Sequence, residues 1–132
     1  DTYYCNGESG VTRSYYLDGS ISSFCSDTVH VEFYNESKTS ESHYRNELKH
    51  GKTIRWHQEK ISAMYNYEND KMHGEFIEYN IDGSIYRSGT YYNGYISSYH
   101  KIGMNYENGV LEITEGGYSI KKKLPKGTLL IL

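Results

Sequence analysis

Apolar and polar residues alternate along most of this chain in short runs, as in ISAMYNY at residues 61–67. Such alternation is typical of β-strands that bury one face. The runs are separated by pairs such as Asn93-Gly94 and Asn108-Gly109, which tolerate the positive φ angles of tight hairpin turns. The pattern predicts strands that pair in chain order as an antiparallel meander, over residues 11–16, 21–25, 29–34, 39–44, 52–56, 61–67, 75–79, 85–91, 98–106, 110–114 and 118–122.

A repeat of 23 residues underlies this pattern. YRNELKHGK, beginning at Tyr44, aligns with YENDKMHGE, beginning at Tyr67, and the alignment pairs His50 with His73. A third copy begins at Tyr91 but lacks the His-Gly pair. Periodicity of this kind indicates an array of small units that share one core. We expect a single repeat domain over residues 1–132, with the best repeats at 44–66, 67–90 and 91–113, degenerate repeats at 4–43 and a C-terminal cap at 114–132.

Alternation also assigns side chains to the two faces of the predicted sheet. One face is expected to carry an aromatic and isoleucine ladder, at Ile54, Trp56, Ile61, Tyr65, Tyr67, Ile77, Tyr79, Ile85 and Tyr91. The other face is expected to be polar, with Thr53, Arg55, Ser62, Asn66, Glu78, Ser88 and Thr90. A single sheet does not leave an apolar face fully wet, so the ladder either packs on its own neighbours or is covered by a partner. In the second alternative the candidate anchors are Trp56, Tyr65, Tyr67, Tyr79 and Tyr91.

YRSGTYYNG at residues 86–94 has a tyrosine, a glycine, an aromatic residue and an Asn-Gly pair in succession, and HYRNELKHGKT and YNYENDKMHGEF repeat the loop and the strand that follows it. These features resemble the MORN repeat family, in the variant form of YwqK-like antitoxin proteins. The resemblance covers roughly residues 4–113. It implies an all-β fold, an elongated and twisted single-layer antiparallel meander of stacked hairpins. It also implies a surface for binding or scaffolding, without catalysis.

The composition favours a thin core lined by tyrosines. The chain has sixteen tyrosines, three phenylalanines and one tryptophan, and these large side chains replace much of the usual aliphatic area. A single alanine and few leucines argue against helices. The net charge of -3 provides no electrostatic footprint for nucleic acid, and it makes membrane association unfavourable. The basic cluster at residues 121–123 is interpreted as a solvated edge strand or tail.

The sequence is compatible with more than one cellular compartment. Cys5 and Cys25 are the only cysteines, and they form a disulfide if the protein is exported or remain free thiols if it is not. Asn35 begins the single Asn-X-Ser/Thr sequon. A secreted, surface or virion location follows if Asp1 is a processed N-terminus, and a cytoplasmic one follows otherwise.

Six histidines raise the question of catalysis or metal binding. His50 and His73 occupy equivalent turn positions before a glycine, which indicates a structural role. The other four lack the spacing of a metal or nucleophile motif, and no glycine-rich phosphate loop is present. We expect no enzyme activity, no metal and no cofactor.

Three functions are compatible with these residues. The leading hypothesis is a non-catalytic protein-binding module, antitoxin-like or inhibitor-like, that uses the aromatic face. The first alternative is a structural, surface or virion protein of an organism or virus with an AT-rich genome, since Asn, Tyr, Ile, Lys and Ser are abundant. The second alternative is a lipid-associated scaffold. Partners are expected to be another protein or a second copy of the chain.

Overall fold

A computed structural model of the protein describes residues 11–124. These residues form thirteen β-strands and no helix. The strands are β1 (Thr12–Tyr15), β2 (Ile21–Cys25), β3 (Val29–Tyr34), β4 (Ser37–Arg45), β5 (Leu48–His57), β6 (Lys60–Glu68), β7 (Lys71–Met72), β8 (Gly74–Tyr79), β9 (Ile85–Tyr92), β10 (Tyr95–Lys101), β11 (Met104–Glu107), β12 (Val110–Glu115) and β13 (Tyr118–Lys123).

All thirteen strands belong to one antiparallel sheet in which neighbours in the chain are neighbours in space. The order runs from β1 to β13 without a crossover, and the two-residue β7 pairs only with β6 beside this path. The predicted all-β, single-layer meander of hairpins is therefore confirmed. The basic strand β13 forms one edge of the sheet, and all six of its residues are exposed.

Most hairpins close through two-residue turns in which both central residues have positive φ. This geometry matches the right-handed twist of paired strands and favours Asn, Asp and Gly. Gln58-Glu59 adopts the same geometry without any of the three, at φ of 50° and 66°. The turns of this kind are Asn35-Glu36, Asn46-Glu47, Gln58-Glu59, Asn69-Asp70, Asn93-Gly94, Asn108-Gly109 and Gly116-Gly117.

One predicted strand is wrong. Residues 98–106 form two strands, because β10 ends at Lys101 and β11 begins at Met104. Ile102 and Gly103 make the turn, and Gly103 has a φ of +82°. A lone glycine without a preceding Asn or Asp is a weak turn signal, so the sequence pattern gave no warning of this hairpin.

Bulges recur with the period of the repeat. The register shifts between Glu32 and Phe33, between Arg55 and Trp56, and between Glu78 and Tyr79, each 23 residues apart. In each case these two residues oppose three residues of the following strand, and the extra residue bends that strand and increases the local twist. The second residue of each pair is the aromatic one that precedes a hairpin turn.

Directly paired residues of neighbouring strands share a face of the sheet. Thr53 pairs with Tyr65, and further along the sheet Phe76, Gly89, Tyr99 and Tyr106 pair in succession. We call the side that carries these residues, together with Tyr44, Tyr67 and Tyr91, the tyrosine face. The opposite face carries an unbroken row of paired residues, Phe24, Val31, Glu41, Ile54, Met64 and Ile77.

The register corrects the predicted division of the side chains. Thr53 and Arg55, expected on a polar face, pair with Tyr65 and Ala63 and so lie on the tyrosine face. Glu78 joins them because it pairs with Ala63. Ile54 and Ile77, expected beside Tyr65, lie on the opposite face, where both pair with Met64. Ile61 and Ile85, expected beside Tyr65 and Tyr91, pair with Trp56 and Tyr79 and so also lie on the opposite face, because a bulge interrupts the alternation of each strand.

The densest part of the core lies on the tyrosine face, toward the C-terminal half of the sheet. Phe76, Ile96, Tyr99 and Tyr106 form a buried cluster, and Tyr99 is only 1% exposed. Gly89 lies between Phe76 and Tyr99, so that both rings pack on backbone. This half of the sheet buries its aromatic rings against itself, without a second layer.

Candidate functional site

A row of charged residues runs beside the aromatic row on the tyrosine face. Paired positions follow one another across the sheet in the order Glu32, Ser40, Arg55, Ala63, Glu78, Arg87 and Lys101. Charges on a partly buried surface require partners or water. Glu78 and Arg87 of this row form an ion pair, whereas Arg55 forms none with any residue between 11 and 124.

The paired section is centred on Glu78. The Arg87 guanidinium donates from Nε to Glu78 Oε1 at 2.5 Å and from Nη2 to Oε2 at 3.0 Å, a bidentate arrangement. The Tyr65 hydroxyl donates to Glu78 Oε2 at 2.5 Å. Burial alone would raise the pKa of Glu78, but the hydrogen bonds from Arg87 and Tyr65 outweigh it and lower the pKa. Glu78 is therefore an anionic acceptor at neutral pH, not a general acid.

The contacts of this cluster also shift the pKa values of the two side chains that surround Glu78. The hydrogen bonds to Glu78 raise the pKa of Arg87, and its guanidinium lies 5.9 Å from the ring centroids of Phe76 and Tyr99. Burial, followed by the bond to Glu78, raises the pKa of Tyr65. No member of the cluster is activated as a nucleophile or base near neutral pH.

Three of the five predicted anchors lie together on the tyrosine face. Tyr65, Tyr67 and Tyr91 are all half-buried. The Tyr91 ring packs against Phe76 at a centroid distance of 5.1 Å, and the ammonium of Lys49 lies 4.9 Å from the centroid of Tyr67. Burial raises the pKa of both Tyr67 and Tyr91. Of the three, Tyr67 is the one outside the aromatic packing around Phe76.

The other two predicted anchors, Trp56 and Tyr79, are separated from these three. Each follows a bulge and lies, by alternation from Ile54 and Ile77, on the opposite face. The Lys38 ammonium lies 5.8 Å from the Trp56 ring centroid, and both Trp56 and Tyr79 are half-buried. The predicted ladder is thus two groups on two faces.

His73 lies at the junction of two hairpins. Its Nδ1 accepts a hydrogen bond from the Asn93 amide at 3.2 Å, and its Nε2 lies 3.6 Å from Glu68 Oε2. The neighbouring Gly94 amide donates to the Met72 carbonyl at 2.8 Å. His73 therefore joins the tips of adjacent hairpins. In the preceding repeat the Nδ1 of His50 is buried and has no hydrogen-bond partner among the described residues.

The residues related to export are only partly described. Cys25 is 2% exposed and is disulfide-bonded. Cys5 lies outside the described residues, so the Cys5–Cys25 pairing stays a prediction. Asn35 is exposed in the turn between β3 and β4. The predicted tail at residues 129–132 also lies outside the described residues.

An exposed apolar edge, which the alternation of residues did not predict, lies at one end of the strands. The turns that leave β1, β3, β5, β8, β10 and β12 lie along this edge, because consecutive turns of a meander alternate between its two ends. The residues in or next to these turns include Leu17, Ile81 and Ile102, which are 110%, 83% and 93% exposed. Turns are usually polar, so three apolar side chains with this exposure are unusual at such positions.

Comparison with known proteins identifies no relative. No family model, curated protein or solved structure matches the chain. Between residues 11 and 124, no three His, Cys, Asp or Glu side chains come together as a metal site would require. That same part of the chain has no helix long and apolar enough to cross a membrane.

Proposed function

We propose that this chain is a non-catalytic protein-binding module, antitoxin-like or inhibitor-like, that binds its partner through the tyrosine face. The MORN-like character of the repeat is part of this proposal. The observation that supports it best is the contrast between the two parts of that face. The C-terminal part is packed on itself, whereas the part around Tyr67, Lys49 and Arg55 combines a half-buried aromatic ring with two cations.

This combination is typical of an interface anchor. Aromatic and arginine side chains are enriched at binding hot spots, where a partner completes their burial. Arg55 is without an ion pair or hydrogen bond among the described residues, so a partner carboxylate or carbonyl could accept its donors.

The test begins with the identity of the partner. The intact chain is immobilised, proteins of the encoding organism are captured on it, and those retained are identified by mass spectrometry. Tyr67→Ala should lose the specific partner, whereas Trp56→Ala and Tyr79→Ala on the opposite face should retain it. If Tyr67→Ala retains the partner and Trp56→Ala loses it, the binding surface lies on the opposite face. If the partner is lost only when Ile81 or Ile102 is mutated, the binding surface is the apolar edge.

A second candidate function is that of an exported structural or surface protein. It is favoured by the disulfide at Cys25, since such bonds persist in oxidising compartments, and by the exposure of the Asn35 sequon. Intact mass of the native protein, with and without reductant, tests it. A gain of 2 Da on reduction and a glycan mass lost on Asn35→Gln would support this role, and free thiols with an unmodified Asn35 would exclude it.

A further inference from the structure

A trough of about 390 Å³ lies on the tyrosine face, over strands β3, β4 and β5. Its floor is the paired row of His30, Ser42 and Thr53. Lys49 and Arg55 line it from the two ends of β5 that flank Thr53. Two cations on one strand therefore converge on a floor of polar side chains.

Neither cation forms an ion pair among the described residues, although the carboxylates of Asp70 and Glu78 act electrostatically on Lys49 and Arg55 from farther away. Across residues 11–124, no carboxylate oxygen lies within 4 Å of the Lys49 ammonium or the Arg55 guanidinium. Burial, and then the positive charge of Arg55, lower the pKa of Lys49. Lys49 is half-buried and Arg55 is exposed, and an anion between the two cations would relieve their mutual repulsion.

The floor supplies neutral hydrogen-bond donors. Thr53 is 3% exposed, and its hydroxyl donates to Ser42 Oγ at 3.3 Å. That bond leaves the proton of Ser42 to donate elsewhere. Burial, with the charge of Lys49, lowers the pKa of His30 despite the opposing effect of Glu32, so His30 is a neutral imidazole at pH 7.

Two acidic residues lie near the trough, and both have other partners. Glu32 lines it and accepts a hydrogen bond from the Ser40 hydroxyl at 3.4 Å. Asp70 accepts the Lys49 backbone amide at 2.6 Å from the neighbouring hairpin tip. Lining side chains thus contribute two positive charges against one negative charge, and the balance favours an anion.

We propose that the trough binds an oxyanion group of a small ligand, a phosphate or a carboxylate, between Lys49 and Arg55. The planar guanidinium of Arg55 binds two oxygens of the group, Lys49 contributes a point charge, and the Ser42 hydroxyl donates from the floor. This site uses the same two cations as the proposed partner surface, but it goes beyond the proposed function because it requires no protein partner.

The test is a titration of the ¹⁵N-labelled full chain, followed by NMR, with inorganic phosphate and separately with acetate. Sodium chloride keeps the ionic strength constant, because surface charges are screened by salt. We expect saturable shifts of the amides at His30, Ser42 and Thr53, with a dissociation constant of about 1 mM for the better probe. Saturation by phosphate alone would identify a phosphoryl ligand, and saturation by acetate alone a carboxylate.

Both test variants and their control lie on strand β5. Arg55→Gln should weaken binding by at least about tenfold, and Lys49→Gln should do so independently, which covers the case in which one variant fails to fold. Lys52→Gln is the matched control, because Lys52 lies on the same strand but pairs with Asn66 on the opposite face. The proposal is overturned if neither anion gives saturable shifts, if the shifts centre on the basic edge at 121–123, or if folded Arg55→Gln binds as tightly as the native chain.

Discussion

Replacing Gly89 with alanine is expected to unfold this protein more readily than any other glycine substitution within the described sheet. An added Cβ would lie 2.1 Å from the Ser98 carbonyl oxygen, 2.9 Å from the Ser98 carbonyl carbon and 3.0 Å from Cε1 of Phe76. Heavy atoms pack at about 3.5 Å, so the obstruction exceeds 1 Å and consists mainly of strand backbone. Overpacking costs roughly 1–3 kcal/mol, and a rigid backbone obstacle places this change at the upper end, about 3 kcal/mol.

The assay is urea unfolding followed by far-ultraviolet circular dichroism, with the slope compared between variants. Gly83→Ala is the control, because Gly83 has a φ of +92° and no atom within 4 Å of its added Cβ. That variant carries only the cost of a positive φ, about 1–2 kcal/mol. A loss for Gly89→Ala no larger than the loss for Gly83→Ala would refute the close packing of Phe76 and Tyr99 on Gly89.

Two further predictions concern the polar contacts of the sheet. The pKa of Glu78 is lowered from its ordinary value of 4.5, so its carboxylate stabilises the fold above that pH, and the contribution is lost as the pH falls through the folded value. Glu78→Gln should therefore cost about 2 kcal/mol at pH 7 and flatten the acid limb of stability against pH in urea titrations, whereas a parallel acid limb would contradict the pairing with Arg87. His73→Phe should cost about 1 kcal/mol in thermal or urea unfolding, because the Asn93 amide loses its acceptor, while His50→Phe should be neutral or stabilising, since the buried Nδ1 of His50 has no partner within residues 11–124. Equal losses for the two histidines would show that the ring and not Nδ1 matters.

The fold was largely predictable because hairpins are local. Asn-Gly and related pairs fix where a strand ends, and ten of the eleven predicted strands coincide with single strands of the sheet within a few residues, apart from the short strand Lys71–Met72 that the prediction omitted. The split at Ile102-Gly103 was missed because neither a preceding Asn nor an interruption of the apolar pattern marks it. Local chemistry predicts turns only where the turn needs a special residue.

The candidate site was less predictable because it depends on register. Arg55 and Glu78 alternate correctly within their own strands, but the bulges beside them shift the neighbouring strands, and this offset has no sequence signal. The pairing of Glu78 with Arg87 follows only once the strands are aligned, and so does the position of Lys49 and Arg55 beside His30 and Ser42. Alternation within one strand therefore predicts the face on which a side chain lies, but not which residues of the neighbouring strands lie beside it.

The equivalence of His50 and His73 illustrates the same limit. The repeat correctly places both before a glycine with positive φ, Gly51 and Gly74. Only His73 reaches the next hairpin tip, because the following turn presents the Asn93 amide to its Nδ1. Identical residues in two repeats predict the same backbone conformation, whereas the hydrogen-bond partners of their side chains depend on the repeat that follows.

The central claim is that the part of the tyrosine face around Tyr67 is the binding surface. Its most direct test is the dissociation constant of the captured, purified partner for Tyr67→Ala and Trp56→Ala, each first shown to unfold at a urea concentration close to that of the native chain. The account predicts that Tyr67→Ala weakens binding by roughly 30-fold, equivalent to about 2 kcal/mol, and that Trp56→Ala changes it little. An unchanged constant for Tyr67→Ala, with a large loss for Trp56→Ala, would contradict it.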